Sequence, residues 1–351
     1  MSGTKRPRNN KPGDRKSRFG KYSSAERLQL VEKVFVKYPR LKEIRERIDF
    51  CRTRSKAAAE VECMLIAGDS GAGKTTLIKW YAGAYPVRVL PDRRIQPVLV
   101  VVVPSPATVK GLATEMLKVL GDPAADRGTI SSQTLRLRKF IAACEVELII
   151  LDEFQHFDDR QSRNVLKTIS DWLKNLVNQC IVPIVLVGMP GCESVLDQKG
   201  NEQLKRRFAS RHEILPFAWD TTEGVNEFRQ LLKSIDDALP LMKDSHLADL
   251  KTAFLIYAAT NGIIDYVMEL LRWAAALAIE CGLEQIDREL LARAYEDRIA
   301  QTFPTRPNPF NAKIEKNKQA AKRVSRPSNG TNKRVKSRKL RRSMSDVLSQ
   351  S

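Results

Sequence analysis

The stretch Gly68-Asp-Ser-Gly-Ala-Gly-Lys74-Thr75 limits the fold of this 351-residue chain more than any other. It fits G-x-x-x-x-G-K-[ST], follows an apolar run at 63–67 and opens a helical pattern that lasts to about residue 84. Glycines in a strand-to-helix turn let backbone approach a ligand closely. Successive amides then converge on one anion at a helix N-terminus, the geometry that cradles phosphate. The pattern predicts that Gly68, Asp69, Ser70, Gly71, Ala72, Gly73, Lys74, Thr75 and Thr76 wrap the phosphates of a nucleotide. Lys74 is expected to meet the β- and γ-phosphates, and Thr75 to ligate Mg²⁺.

A second motif completes that chemistry. Leu148-Ile-Ile-Leu-Asp152-Glu153 reads as a buried strand ending in two carboxylates. Asp152 is expected to join Thr75 in holding magnesium, and Glu153 to orient and polarise the attacking water. ATP and Mg²⁺ are therefore the expected cofactors, and ATP hydrolysis the expected reaction. Short apolar runs at 63–67, 98–103, 148–151, 184–187 and 213–217 alternate with helical patterns at about 74–84, 108–120, 132–143 and 163–178. Parallel strands covered on both faces read this way, which predicts an α/β P-loop NTPase core. Two helices are expected before it, at about 25–38 and 41–55, with Ser23 or Ser24 as a cap and Pro39 as an interruption. Four more follow, at about 223–237, 245–259, 265–280 and 287–299. The expected organisation is a basic arm over 1–22, a core with its N-terminal helices over 23–221, a small helical lid over 222–303 and a basic tail over 304–351.

The charge supports that division. Residues 1–22 carry eight basic residues against Asp14, and 313–342 carry thirteen against Glu315, which accounts for the net charge of +19. Residues 23–312 are close to neutral, with 39 basic and 38 acidic residues. Blocks of like charge repel until a polyanion neutralises them, and nucleic acid is the commonest such partner. Cys51, Cys63, Cys144, Cys180, Cys192 and Cys281 form no CxxC pair, and the three histidines lack metal-ligand spacing. Reduced, mostly buried thiols in a cytoplasmic protein are expected. No apolar run approaches the roughly 20 residues of a membrane helix, so no membrane partner is expected.

Two further segments bear on hydrolysis. The run at 184–187 leads into Gly188-Met189-Pro190, and Met189 stands where ATPases of this build usually carry a polar sensor of the γ-phosphate. Gln203-Leu-Lys-Arg206-Arg207-Phe208 is a basic cluster before the fifth strand. In ring-forming ATPases an arginine there reaches a neighbouring subunit's γ-phosphate, so Arg206 and Arg207 are candidates to act in trans. An ordinary solvated basic turn is the alternative.

In order and spacing, the N-terminal helical region, G-D-S-G-A-G-K-T, L-I-I-L-D-E-F-Q-H-F, I-V-P-I-V-L-V-G-M-P and Q-L-K-R-R-F resemble the TnsC/TniB family over about residues 25–300. These are AAA+ ATPase regulators of DNA transposition in TnsA/TnsB/TnsC-type transposons. The resemblance implies an AAA+ core that forms ATP-dependent homo-oligomers, rings or filaments, on double-stranded DNA at the bacterial nucleoid. It implies that these link a target-selector protein to transposase subunits, and that ATP hydrolysis helps disassemble them. It also implies DNA-backbone contacts at Lys110 and Thr129, with Arg127 nearby. Read without it, Lys110 is a helix-surface lysine and Thr129 a helix cap. Two departures stand out: Met189, and Asn261-Gly262-Ile-Ile-Asp265, which lacks the arginine that many relatives place after the glycine, with Arg272 a turn or more beyond. A replication-initiator or helicase-loader ATPase is the alternative within this superfamily. A nucleotide-dependent scaffold with negligible turnover is the alternative outside catalysis.

Overall fold

The computed structural model describes residues 14–55, 60–157, 163–197 and 202–311. The most basic stretches, 1–13 and 312–351, lie outside the described residues. Two compact units are present: Lys37–Leu215 is one, and the chain up to Val36 joins the chain from Pro216 onward in the other.

The chain opens with α1 (Asp14–Phe19) and α2 (Ser24–Glu32), both in the second unit. The first unit then runs α3 (Pro39–Arg54), β1 (Met64–Gly68), α4 (Lys74–Ala82), β2 (Arg88–Val89), β3 (Arg94–Ile95) and β4 (Val98–Val102). It continues with α5 (Val109–Leu120), α6 (Ile130–Ala143), β5 (Leu148–Asp152), α7 (Arg163–Cys180), β6 (Ile184–Gly188), α8 (Glu202–Arg207) and β7 (Ser210–Ile214). The second unit closes with α9 (Thr222–Ala238), α10 (Leu250–Thr260), α11 (Ile264–Glu280) and α12 (Arg288–Arg298).

Five strands form one parallel sheet in the order β4-β5-β6-β1-β7. The first crossover carries the chain from β1 to the far edge at β4; β5 and β6 then fill the space between, and β7 is added on the other side of β1. Ligands bind such sheets beyond the carboxyl ends of the strands, where strand order reverses. Every residue of β5 and β6 is buried, which explains their continuously apolar sequence. Leu65, Leu99, Val101, Met116, Ile149, Leu151, Phe154, Leu173 and Leu186 belong to one core that joins the sheet to its helices. β7 is an edge strand, paired only with β1, with polar, partly exposed residues at Ser210, Arg211, His212 and Glu213. It lies three residues ahead of the expected 213–217 run, because an edge strand need not be apolar. The β2–β3 hairpin was not expected from the sequence.

Local signals explain the remaining boundaries. Pro39 starts α3 rather than interrupting a helical stretch, since its missing N–H and fixed φ suit a first helical position. Ser23 caps α2 in a full capping box with Glu26. α2, grouped with the core in the sequence reading, packs on α11 in the helical unit. Its Arg27 meets both carboxylate oxygens of Glu284 at 3.1 and 2.8 Å, and Arg272 donates to Val34 O at 2.6 Å.

Residues 14–19 and 304–311, which the sequence assigns to the basic arm and tail, make defined contacts. Asp14–Phe19 form α1, because Arg15 finds Asp236 at 3.2 Å and Asp237 at 2.7 Å on α9. Beyond α12, Arg306 donates to Ala258 O, Asn308 to Ala292 O and Glu296, and Phe310 is buried. Residues 304–311 therefore belong to the helical unit.

Candidate nucleotide site

β1 delivers the phosphate loop to the carboxyl end of the sheet. Gly71 (φ 78°) and Gly73 (φ 87°) hold the left-handed conformations that the tight turn needs. A Cβ on Gly68 would meet Ile214 O at 3.0 Å and Ala72 Cβ at 3.2 Å, so the loop passes close to β7 only as glycine. α4 begins at Lys74 with Gly73 as its N-cap and no side-chain cap. The first-turn amides at Lys74, Thr75 and Thr76 have no partner four residues back within the helix, and such a terminus favours an anion. Lys74 is buried along its stem, and its Nζ donates to Gly68 O at 2.7 Å and Asp69 O at 2.9 Å.

The decisive contact joins the two motifs. Thr75 Oγ1 donates to Asp152 Oδ2 at 3.1 Å, although β6 lies between β1 and β5 in the sheet. The hydroxyl and carboxylate form an oxygen pair of the kind a hard divalent cation takes. Asp152 is only 3% exposed, and burial pushes its carboxyl up; the N–H of Glu153 and the Thr75 hydroxyl oppose that shift. A cation alongside would offset the desolvation of this carboxylate. Magnesium and a nucleotide phosphate therefore fit the residues present.

Glu153 leaves the strand at φ 58°, in the left-handed region that a non-glycine residue rarely adopts. Its N–H donates to Asp152 Oδ1 at 2.9 Å. Its carboxylate accepts from Gln155 Nε2, and Gln155 Oε1 accepts from Met189 N–H at 3.1 Å. Gln155 stood in the sequence as one letter of a family segment, with no role attached. Only the return of β6 beside β5 brings it between Glu153 and Met189.

The other predicted residues lie elsewhere in the same unit. Arg206 is exposed on α8. Arg207 is tied inward: Nη1 donates to Val61 O at 3.5 Å and its carbonyl accepts from Cys63 N–H at 2.7 Å. Lys110 is exposed in the first turn of α5, Arg127 is exposed ahead of α6, and Thr129 caps α6 by accepting from Ser132 N–H at 3.3 Å. Gln133 Nε2, in the first turn of α6, donates to Thr114 Oγ1 in the middle of α5 at 2.8 Å, so the two helices pack against each other. Lys110 and Thr129 thus lie on two packed helices, α5 and the cap of α6, and not on the elements that carry Thr75 and Asp152. Among the described residues no helix is long and apolar enough to cross a membrane.

The family model for the bacterial TniB protein matches residues 27–216. The chain belongs to the TniB family. The match spans the phosphate loop, the Asp152-Glu153 strand, the Gln155 segment and the β6 tip. Among curated proteins no relative matches in sequence. Solved structures share the fold. Cdc6p from Pyrobaculum aerophilum superposes with a TM-score of 0.57 at 14% identity, over 80% of this chain and 74% of that one. The ORC2 protein of Aeropyrum pernix, solved as ADPNP-ADP complexes, gives 0.55 at 16% identity over 77% and 71%. The ORC1 protein of Aeropyrum pernix in complex with DNA gives 0.51 at 18% over 76% and 67%. This member of the TniB family thus has the AAA+ architecture, a five-stranded parallel sheet followed by helices. At such identities the likeness is one of fold.

Proposed function

We propose that this TniB-family chain is an ATP-dependent regulator of DNA transposition that assembles on double-stranded DNA and couples a target selector to transposase subunits. The observation that carries the nucleotide part is the Thr75–Asp152 hydrogen bond, which unites the phosphate loop and the carboxylate strand at one point. Thr75 and Asp152 would hold Mg²⁺, which neutralises phosphate charge when bound. Lys74 supplies the fixed positive charge at the phosphates, and the first-turn amides of α4 hold their oxygens. Glu153 polarises the attacking water. Arg206 is the better placed of the two arginines to serve a neighbouring subunit, because Arg207 is engaged within its own unit.

The DNA part rests on the family and on charge. Membership of the TniB family favours transposition over replication initiation. The exposure of Lys110, Arg127 and Thr129 supports a backbone-tracking contact, and the basic segments add salt-sensitive attraction. A relative of the same fold has been solved in complex with DNA.

The test is ATP hydrolysis with Mg²⁺, with and without duplex DNA, alongside imaging of the chain with DNA and a non-hydrolysable analogue. Nucleotide-dependent rings or filaments on DNA, with turnover that depends on assembly, are expected. Absence of turnover in every condition, with tight ATP binding retained, would instead establish a nucleotide-dependent scaffold.

A further inference from the structure

The tip of β6 presents a problem for an ATPase site. Its side chain at 189 is a methionine, half turned to solvent, with no group able to hydrogen-bond strongly to a phosphate or to the catalytic carboxylate. The backbone there is nonetheless connected to Glu153. Met189 N–H can only donate, so the Gln155 amide must present Oε1 to it, which it does at 3.1 Å. That choice leaves Nε2 for the other side, where it meets Glu153 Oε2. The orientation of the amide is fixed by its two neighbours, one an obligate donor and the other an acceptor. A bond from an amide to a carboxylate is charge-assisted and stronger than a neutral one.

The surroundings are fitted to this arrangement. A Cβ at Gly188 would lie 3.0 Å from Gln155 Oε1 and 3.0 Å from Cys192 Sγ. The tip therefore accommodates the glutamine side chain because residue 188 has none. Glu153 itself is held at a positive φ, a strained conformation that persists only where neighbours over-determine it. The Gln155 bond is one of those restraints, and the Glu153 N–H bond to Asp152 is another.

We propose that Gln155 is a positioning residue of the ATPase site: it ties the Glu153 carboxylate to the β6 tip at Met189 and supplies the polar link that a methionine at that tip lacks. This rests on the ATPase reading above. Gln155 needs no contact with nucleotide to act. It sets where the Glu153 carboxylate stands, and any displacement of the Met189 N–H is passed to that carboxylate through one rigid amide.

The variants separate the two ends of the link. Gln155→Met keeps the volume and loses both hydrogen bonds. Gln155→Glu keeps the acceptor for Met189 N–H, loses the donor to Glu153 and sets like charges together. Gly188→Ala leaves Gln155 and Glu153 intact but crowds the amide. Two readouts are needed: kcat and ATP affinity with Mg²⁺, and hydrogen–deuterium exchange of the nucleotide-free full chain in peptides covering Met189. Gln155→Met is expected to lower kcat at least about tenfold with ATP affinity within about twofold, and to speed exchange at Met189. Gln155→Glu is expected to lose turnover as fully while Met189 stays protected. Gly188→Ala is expected to fall between them. If Gln155 only fills space, the methionine variant will match the parent in kcat and exchange, and the proposal is overturned. Normal turnover in Gln155→Glu overturns it equally. A parent chain without turnover, whose Met189 exchange still responds to Gln155→Met, instead overturns the ATPase reading and with it the role of this contact in catalysis.

Discussion

At the scale of single residues, the proposed site divides into groups that would bind and one that would react, and the division is testable. Lys74→Ala removes a charge held among Gly68 O and Asp69 O at the mouth of the loop, so ATP affinity should fall roughly ten- to a hundredfold by isothermal titration. Glu153→Gln should bind ATP as the parent does and lose about 10²–10⁴ in kcat, because an amide cannot accept a proton. The strand, loop and helix around 68–76 and the strand that ends in Asp152 were legible in the sequence because each is written in consecutive letters. Gln155 was not. Its partners are two residues behind it and thirty-four ahead, and the second contact uses a backbone N–H that no side-chain pattern reports. The distinction between Arg206 and Arg207 was equally hidden: of two adjacent identical side chains, one is exposed and the other, less exposed, meets Val61 O.

At the scale of elements, β5 and β6 were readable because full burial on both faces demands a continuous apolar run, whereas the edge strand β7 is half polar and slid by three residues. α1 was unreadable for another reason: a basic hexapeptide has no core-facing stripe, and it is fixed by Arg15 finding carboxylates more than two hundred residues away. Burial, then the hydrogen bond with Asp244, pushes Asp236 up from the ordinary 3.8 to about 6, while Asp244 is held well below the usual carboxylate range by the same bond and by Lys233. The folded unit therefore keeps a proton on Asp236 that the unfolded chain releases. Its stabilising contribution is complete below about pH 4 and is lost as pH rises through about 6. Urea midpoints followed by Trp219 and Trp273 fluorescence should decline over that interval, and Asp236→Asn should remove the decline while costing about 2 kcal/mol. Gly262 tests the turn between α10 and α11. At φ 70°, with an added Cβ 2.2 Å from Phe217 O, Gly262→Ala should destabilise the helical unit by at least about 2 kcal/mol in the same measurement.

At the scale of the whole molecule, the proposed hydrolysis and DNA binding would be properties of assemblies. If Arg206 serves a neighbour, mixing Arg206→Ala with Lys74→Ala should restore part of the activity that each lacks alone; no recovery despite demonstrated co-assembly removes Arg206 from that role. Deleting 313–351 should flatten the salt dependence of DNA binding, since each phosphate neutralised adds about −0.9 to the slope of log K against log salt. The two-unit division carries a different consequence. The chain leaves the helical unit after Val36 and re-enters it at Pro216, while within the sheet unit Arg40 Nη1 donates to Leu215 O at 3.1 Å. The two ends of the sheet unit therefore meet. An unfolded insert of roughly 180 residues would oppose the pairing of α2 with α11 by its loop entropy; once folded, it spans only the gap between Arg40 and Leu215, a relief of about 3 kcal/mol. An order of events during synthesis is therefore expected: the sheet unit can complete itself as a closed excursion before α11 leaves the ribosome, and protease protection of stalled chains ending before Ile264 would check it.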